Sequence, residues 1–130
     1  FWDQTDLYVR PQETGNETDI RWMALDNGTI GLLAIGQPTF DGSVHQYPYS
    51  DLDYVPAGRH HGKLDLQPKN QVDWLIDYRQ TGVGGDNSWV SRPHLKYTLA
   101  GNSISYAYHF YLIPFVISDA LMTLSKLKIK

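Results

Sequence analysis

The feature that most restricts the fold of this chain is a pair of short apolar segments on either side of an Asp-Asn-Gly turn. Residues 18–25 alternate with a period of two, which puts Ile20, Trp22 and Ala24 on one face and Arg21, Met23 and Leu25 on the other. The Asn27-Gly28 pair supplies the positive backbone angles of a tight turn, and residues 30–35 resume the apolar pattern. The sequence therefore predicts an antiparallel β-hairpin over residues 18–35.

Other local patterns place this hairpin in a mainly β fold. Residues 72–78 are predicted as a strand, and residues 95–99 and 103–112 flank Ala100-Gly101-Asn102 as a second hairpin. Helical signals are confined to one short turn at residues 50–53 and to residues 118–127, where leucines recur at helical spacing after a Ser-Asp start. We predict an all-β fold with at most one or two short helices, in a single domain over residues 1–130.

Charge and composition exclude several classes of partner. The formal net charge is -3, from 14 acidic and 11 basic side chains scattered along the chain, so neither a nucleic acid nor an anionic membrane is the expected partner. The chain has no cysteine, which excludes disulfides, thiolate metal sites and cysteine nucleophiles. No apolar run approaches the roughly 20 residues that a membrane-spanning helix needs.

The longest polar stretch is the glycine-rich loop 82–88, which leads into Trp89. It has neither the spacing of a dinucleotide-binding motif nor the Lys-Ser/Thr ending of a phosphate-binding loop. One interpretation makes Trp89 a ring that stacks on a sugar, while Asp86 and Asn87 bond hydroxyls or cap the loop. The other makes Trp89 a core residue that anchors the loop, which the usual burial of tryptophan favours on this pattern alone.

Histidines and carboxylates point to no specific site. His60 and His61 are adjacent, and neighbouring residues on a strand face opposite ways, so a surface or structural role is favoured over a shared metal ion; the same holds for His45 and His94. Several acidic residues are present, but their spacing selects no glycosidase pair. They are Asp3, Asp6, Glu13, Glu17, Asp19 and Asp51. We therefore assign no catalytic residue and no metal ligand.

An apolar run near the end of the chain bears on partners. Its side chains either pack under the sheet or, where they are uncovered, mark an interface with other parts of a larger protein. The run comprises Leu112, Ile113, Phe115, Val116 and Ile117.

Two longer motifs resemble those of one family. Residues 8–16, YVRPQETGN, followed by TDIRW at residues 18–22, resemble the segment Y-x-R-P-Q-E-x-G-N-x-T-D-V-R-W of β-galactosidases in glycoside hydrolase family two. Residues 80–89, QTGVGGDNSW, resemble that family's M-G-V-G-G-D-N-S-W. The order and separation of the motifs also agree, and the resemblance runs from about Tyr8 to Pro114. Val90 departs from the glycine that the family often has there.

The resemblance implies a fold and a function. It implies the C-terminal half of an antiparallel β-supersandwich similar to galactose mutarotase, in the last domain of a large bacterial enzyme of the cytoplasm or periplasm. The catalytic glutamates would lie in a separate barrel domain. This chain would bind no cofactor, although the family often uses Mg and Na ions in other domains. Trp89 would form part of the sugar platform, and Asp86 and Asn87 would shape its loop and bind substrate.

The implied partners are galactosides and the remaining domains of the parent enzyme. Half of a supersandwich leaves one sheet without its partners, so a second copy of the chain is a further expected partner. Two alternatives stay open beside this interpretation. One is an independent carbohydrate-binding module, and the other is a purely structural assembly domain.

Overall fold

The fold is organised around one long strand. The computed structural model describes residues 3, 5, 14–52, 66–87, 89–99, 107, 109–118 and 121–126. Its strands are β1 (Glu17–Asp26), β2 (Ile30–His45), β3 (Asp73–Asp77) and β4 (His109–Val116), which form a four-stranded antiparallel sheet. The described helical segments are short: 3-10 turns at Tyr49–Leu52 and Leu95–Tyr97, and helix α1 at Leu121–Leu124.

Strand β2 has neighbours along both of its edges. Leu33 pairs with Ala24 of β1 on one side and with Ile113 of β4 on the other. Further along, Gly42 pairs with Glu17 of β1 and with Ile76 of β3. Strands β4 and β3 therefore follow one another along the same edge of β2, and β1 runs along the opposite edge.

The predicted hairpin of residues 18–35 is confirmed as β1 and β2. Its turn is held by two side chains: Asn27 Oδ1 accepts hydrogen bonds from the backbone N–H groups of Thr29 and Ile30, both at 3.0 Å, and Asp26 Oδ1 accepts one from Gly28 at 2.9 Å. Gly28 has φ of 88°, a left-handed conformation that glycine adopts without strain. The local turn chemistry thus fixes the register from the Asp26–Gly31 pair to the Trp22–Ile35 pair, beyond which the pairing shifts.

One face of the sheet carries the larger described core. Leu33, Ile35 and Phe115 are buried together, and the side chains that pack against them are Trp22, Ala24, Ile113, Leu121 and Leu124. This set combines three strands with helix α1, so the short C-terminal helix covers part of the sheet. A second buried cluster, Tyr47, Leu52 and Leu66, lies beyond the end of β2.

Most of the predicted elements are confirmed, but the strand at residues 95–99 is wrong. Residues Leu95–Tyr97 form a 3-10 turn, in which Tyr97 N donates to His94 O and Thr98 Oγ1 donates to Leu95 O, at 2.8 Å each. These local bonds satisfy the backbone without a partner strand. Strand β4 pairs with β2 instead, beginning at His109 and continuing to Val116. Residues 100–106 of the predicted hairpin lie outside the described part.

The other predictions hold in the parts of the chain that are described. Residues 72–78 contain β3, residues 50–53 overlap the 3-10 turn at Tyr49–Leu52, and residues 118–127 contain α1. The all-β class is confirmed, whereas the supersandwich stays a prediction because the described strands form one sheet. None of the described helices is long and apolar enough to span a bilayer.

Candidate functional site

The base of the glycine-rich loop is bonded to the sheet through a buried carboxylate. Asp41 of β2 is 2% exposed, and its Oδ2 accepts a hydrogen bond from the backbone N–H of Gln80 at 3.1 Å. Its Oδ1 accepts from Arg79 Nη1 at 2.9 Å and from the backbone N–H of Asp19 at 3.2 Å. Because β3 ends at Asp77, this carboxylate fixes the chain where it leaves the sheet and enters the loop.

Arg79 joins the same network from the other side. Its Nη1 lies 2.8 Å from Asp19 Oδ1, and its Nη2 donates to Thr39 Oγ1 at 3.3 Å. Partial burial lowers the pKa of Arg79, but hydrogen bonds to Asp41 and Asp19 raise it by more, so the guanidinium remains charged. Asp19 sits at an irregularity in the β1–β2 pairing and has φ of 56°. The network therefore includes a left-handed backbone conformation, which is uncommon outside glycine but which aspartate adopts more readily than most residues.

The two limbs of the loop are tied to each other. Gly82 N donates to Tyr97 O at 2.7 Å, and Leu99 N donates to Thr81 Oγ1 at 3.2 Å. Higher up, Gly85 lies so close to the returning limb that a Cβ there would be 2.5 Å from Ser91 O. The two limbs of the loop therefore lie against each other.

The tip of the loop is held by the two residues predicted to bind substrate. Asn87 Oδ1 accepts hydrogen bonds from the backbone N–H groups of Trp89 at 2.9 Å and Val90 at 3.4 Å. Asp86 Oδ1 lies 2.8 Å from His94 Nε2, an ion pair whenever the imidazole is protonated. Both side chains thus make bonds within the loop, and their contact with substrate stays a prediction.

Trp89 projects from this tip into solvent. The residue is 88% exposed, its neighbour Val90 is 92% exposed, and Leu95 on the returning limb is 91% exposed. Trp89 is thus not a buried core residue that anchors the loop, which was the alternative interpretation of the sequence. A large exposed aromatic surface is unusual for a residue without a binding role. Its role in sugar binding is not tested by this geometry and stays a prediction.

A cleft of about 710 Å³ with a mixed polar and apolar lining lies beside the loop. Its walls come from the segment that leads into β1, from the Asp41–Arg79 network, and from both limbs of the loop. Lining residues include Asn16, Asp19, Arg79, Gly84 and Tyr97. Lys96 Nζ lies 4.5 Å from the centroid of the Tyr97 ring, a cation–π contact that covers one face of that ring.

A second cleft, about 660 Å³ in volume and almost wholly apolar, lies at the hairpin end of the sheet. We call it the apolar groove, and its lining residues are Leu25, Asp26, Asn27, Ile30, Gly31, Leu32, Val72, Trp74, Pro114, Phe115 and Val116. Ile30, Leu32 and Val116 are each about half exposed or more. The apolar run near the end of the chain is accordingly divided: Phe115 is buried, whereas Leu112, Val116 and Ile117 are exposed.

The histidines and carboxylates of the sequence analysis show no metal arrangement. Among the described residues, no group of three His, Asp or Glu side chains is placed to hold a metal ion. His45 is buried and stacks on Tyr47, with ring centroids 5.0 Å apart, and its two ring nitrogens have no hydrogen-bond partner. Burial lowers its pKa below the usual 6.5, against a smaller opposite effect of Asp73. His60 and His61 lie outside the described residues.

The described carboxylates have structural partners or face solvent. Asp51 lies 2.6 Å from Lys69 Nζ, Asp19 is paired with Arg79, and Asp3 and Glu17 are exposed. The candidates Asp6 and Glu13 lie outside the described residues.

Two residues that hold the loop in place were not predicted from the sequence. Asp41 and Arg79 belong to no motif that was singled out, and Asp41 lies beyond the strand predicted over residues 30–35, in the part of β2 that only the structure shows. His94 was expected to have a surface or structural role, and its pairing with Asp86 agrees with that. A buried carboxylate needs cationic or N–H partners, but its burial is evident only once β2 is known to continue past Asp41.

Comparison with known proteins identifies the family. The family model for the β-galactosidase small chain matches residues 1–112. The chain is 40% identical to a β-galactosidase of Priestia megaterium over 113 residues, which is 86% of this chain and 10% of that protein. It is also 34% identical to β-galactosidase BgaC of Bifidobacterium adolescentis over 94 residues, 71% of this chain and 9% of that protein.

A β-galactosidase of Lactobacillus delbrueckii subsp. bulgaricus shows the same relation, with 34% identity over 93 residues, 69% of this chain and 8% of that protein. The chain thus spans about a tenth of the length of these relatives, as a domain of a larger enzyme does. The chain belongs to the β-galactosidase small chain family.

Proposed function

We propose that this chain is a non-catalytic C-terminal domain of a glycoside hydrolase family two β-galactosidase, and that it completes the galactoside site with Trp89 as a sugar platform. The observation that carries the proposal is the geometry of the loop tip. Asn87 and the Asp86–His94 pair hold the tip, and Trp89, whose backbone N–H is bonded to Asn87, is 88% exposed. A rigid, exposed aromatic ring offers an apolar face to a pyranose at little entropic cost.

The proposed non-catalytic role is supported by the ion-pair partners of the described carboxylates. Retaining glycosidases use two carboxyl groups about 5–5.5 Å apart, one of them a nucleophile free to attack the sugar. Here Asp41 and Asp19 are engaged with Arg79, Asp51 is paired with Lys69, and Asp86 is paired with His94. In this proposal, two glutamates elsewhere in the parent enzyme hydrolyse terminal β-galactosides. The Priestia megaterium relative is about ten times as long as the segment that matches this chain, which leaves room for a separate catalytic domain.

The remaining domains of the parent enzyme are the proposed partner of the apolar groove. Ile30, Leu32, Val72 and Val116 expose apolar surface in one connected cleft, which a soluble protein seldom leaves open to water. This observation favours an assembly role as a second function of the same chain. The two roles are compatible, because the groove and the loop tip involve different residues.

A chimeric enzyme tests the platform. The chain replaces the matching segment of the Priestia megaterium β-galactosidase, and kcat and KM are measured for the chimera and for its Trp89→Ala and Trp89→Phe variants. We expect Trp89→Ala to raise KM roughly tenfold, since loss of the stacking contact removes about 1.4 kcal/mol of binding. Trp89→Phe, which keeps an aromatic face, should recover much of the loss.

The chimeric enzyme also provides a control, and the isolated chain provides a test of the rival functions. Trp22→Phe, at a half-buried position in β1, should leave KM unchanged. Equal KM values for Trp89→Ala and the unmodified chimera would remove the platform role and leave the assembly role. Isothermal titration of the isolated chain with galactose and lactose separates the proposal from an independent carbohydrate-binding module, because only the latter should produce heat of binding without the other domains.

A further inference from the structure

We propose that Asp41 and Arg79 are positioning residues for Trp89: together they fix the base of the glycine-rich loop and so restrict where its tip presents the indole ring. This inference rests on the proposed platform function of Trp89. It assigns to two residues far from the loop tip a role in substrate binding.

The first step is the contact between Asp41 and the start of the loop. Asp41 lies in the middle of the sheet, paired with Asp77 of β3, and Gln80 N donates directly to its carboxylate. The side chain of Gln80 adds a second tie, because its Nε2 donates to Asp77 Oδ2 at 3.2 Å. The loop therefore leaves the sheet from a point that is fixed by two hydrogen bonds at one residue.

The second step is the rigidity of the carboxylate itself. Asp41 accepts three hydrogen bonds, from Asp19 N, Arg79 Nη1 and Gln80 N, and hydrogen bonds of this charge-assisted kind are about twice as strong as neutral ones. Arg79 is in turn fixed by Asp19 and Thr39. The carboxylate thus has one orientation, and the amide of Gln80 must follow it.

The third step is the need of the loop for an external constraint. Residues 82–85 contain three glycines, which by themselves have wide backbone freedom. Packing restricts the backbone at Gly85, where a Cβ would lie 2.5 Å from Ser91 O, but not at Gly84, where a Cβ would meet no atom within 4 Å. Two hydrogen bonds restrict the start of the loop, since Asp41 accepts one from Gln80 N and Tyr97 O accepts one from Gly82 N. Loss of the first bond would loosen the point from which the limb that leads to Trp89 leaves the sheet.

The left-handed conformation of Asp19 brings β1 into the same network. Its φ of 56° is uncommon outside glycine, although aspartate adopts it more readily than most residues, and it places both Asp19 N and Asp19 Oδ1 in contact with the Asp41–Arg79 pair. The start of the loop is therefore bonded to two strands, β1 and β2.

Hydrogen exchange measured by mass spectrometry on the full chain tests the anchor directly. The variants are Asp41→Asn, which cannot accept all three bonds, and Arg79→Lys, which keeps the charge but loses the second donor. Amides of residues 80–90 should exchange roughly tenfold faster in both, while those of the β1–β2 hairpin turn keep their rate. Asp51→Asn, which breaks the Lys69 ion pair remote from the loop, is the matched control and should leave the loop unchanged.

Kinetics of the same variants in the chimeric enzyme test the consequence for binding. A positioning role predicts a KM roughly tenfold higher with kcat within about twofold, which a general loss of folded protein would not produce. Loop exchange equal to that of the unmodified chain in Arg79→Lys, or faster exchange spread evenly over sheet and loop, would overturn the proposal. If the Asp41→Asn variant fails to fold, the Arg79→Lys variant alone provides the test. Failure of the platform itself is distinguishable, since it shows as unchanged KM in Trp89→Ala while the loop exchange still responds to Asp41 and Arg79.

Discussion

An added methyl group should separate the two limbs of the loop at one glycine and have no such effect at the neighbouring glycine. At Gly85 a Cβ would lie 2.5 Å from Ser91 O and 2.6 Å from Arg92 O, and both atoms belong to the backbone of the returning limb. At Gly84 a Cβ would meet nothing within 4 Å. We therefore expect Gly85→Ala to push the two limbs apart and Gly84→Ala to leave them in place.

The size of the effect follows from these distances. A close contact between carbon and a carbonyl oxygen needs about 3.3 Å, so the limbs must separate by about 0.8 Å to admit the methyl group of Gly85→Ala. Forcing an extra methyl against a backbone that cannot turn aside costs about 1–3 kcal/mol. That strain corresponds to roughly a 5- to 150-fold shift toward an opened loop tip.

Hydrogen exchange at Trp89 and Val90 is the assay, because Asn87 Oδ1 accepts hydrogen bonds from both of their amides in the closed loop. Exchange at these two amides should rise in Gly85→Ala, with a matching rise in KM of the chimeric enzyme. The free energy of unfolding should fall by no more than the same amount, about 1–3 kcal/mol, since opening of the loop relieves part of the strain. Identical exchange for Gly84→Ala and Gly85→Ala would refute the view that contact between the limbs shapes the platform.

Three further predictions concern stability and assembly. Burial lowers the pKa of His45 below 6.5, so the unfolded chain binds a proton at this residue more readily than the folded chain does. The contribution of His45 to the free energy of unfolding should therefore be complete above pH 6.5 and decline as the pH falls below it. Urea denaturation above and below pH 6.5 should show a shallower decline for His45→Phe. Phe115→Ala should lower the free energy of unfolding by about 3–5 kcal/mol because the side chain is buried. Leu112→Ala, at a half-exposed position of the same strand, should lower it by about 1 kcal/mol or less. Leu32→Lys in the apolar groove should lower the thermal midpoint of the chimeric enzyme and leave that of the isolated chain unchanged. Met122→Lys, at a somewhat more exposed apolar position outside the groove, should affect neither midpoint, and equal effects of the two substitutions would contradict docking at the groove.

The fold was predictable where one segment of sequence determines its own geometry. The Asn27-Gly28 turn fixes the β1–β2 hairpin locally, and the apolar run at residues 72–78 leaves little alternative to a strand. Residues 95–99 were wrongly predicted as a strand because their apolar pattern is compatible with extended chain. Bonds from Thr98 and Tyr97 back to the preceding turn, which the pattern does not encode, favour the 3-10 conformation.

The candidate site was predictable only in part, for a related reason. The motif around Trp89 marked the loop, but not that the ring is exposed, since exposure depends on what packs around it. The Asp41–Arg79 bond joins residues 38 positions apart, and it forms because β2 pairs with β3 in one register. Such contacts follow from tertiary structure, so a single sequence gives no direct sign of them.

The most direct test of the account is a crystal structure of the chimeric enzyme with a bound galactoside, read for the distance between the Trp89 ring and the sugar. We expect the indole to lie within about 4–4.5 Å of the apolar face of the pyranose, with Asp86 still bonded to His94 and Asn87 to the loop backbone. A ring turned away from the sugar and packed against another domain would contradict the platform role, and would leave the chain as an assembly domain of its enzyme.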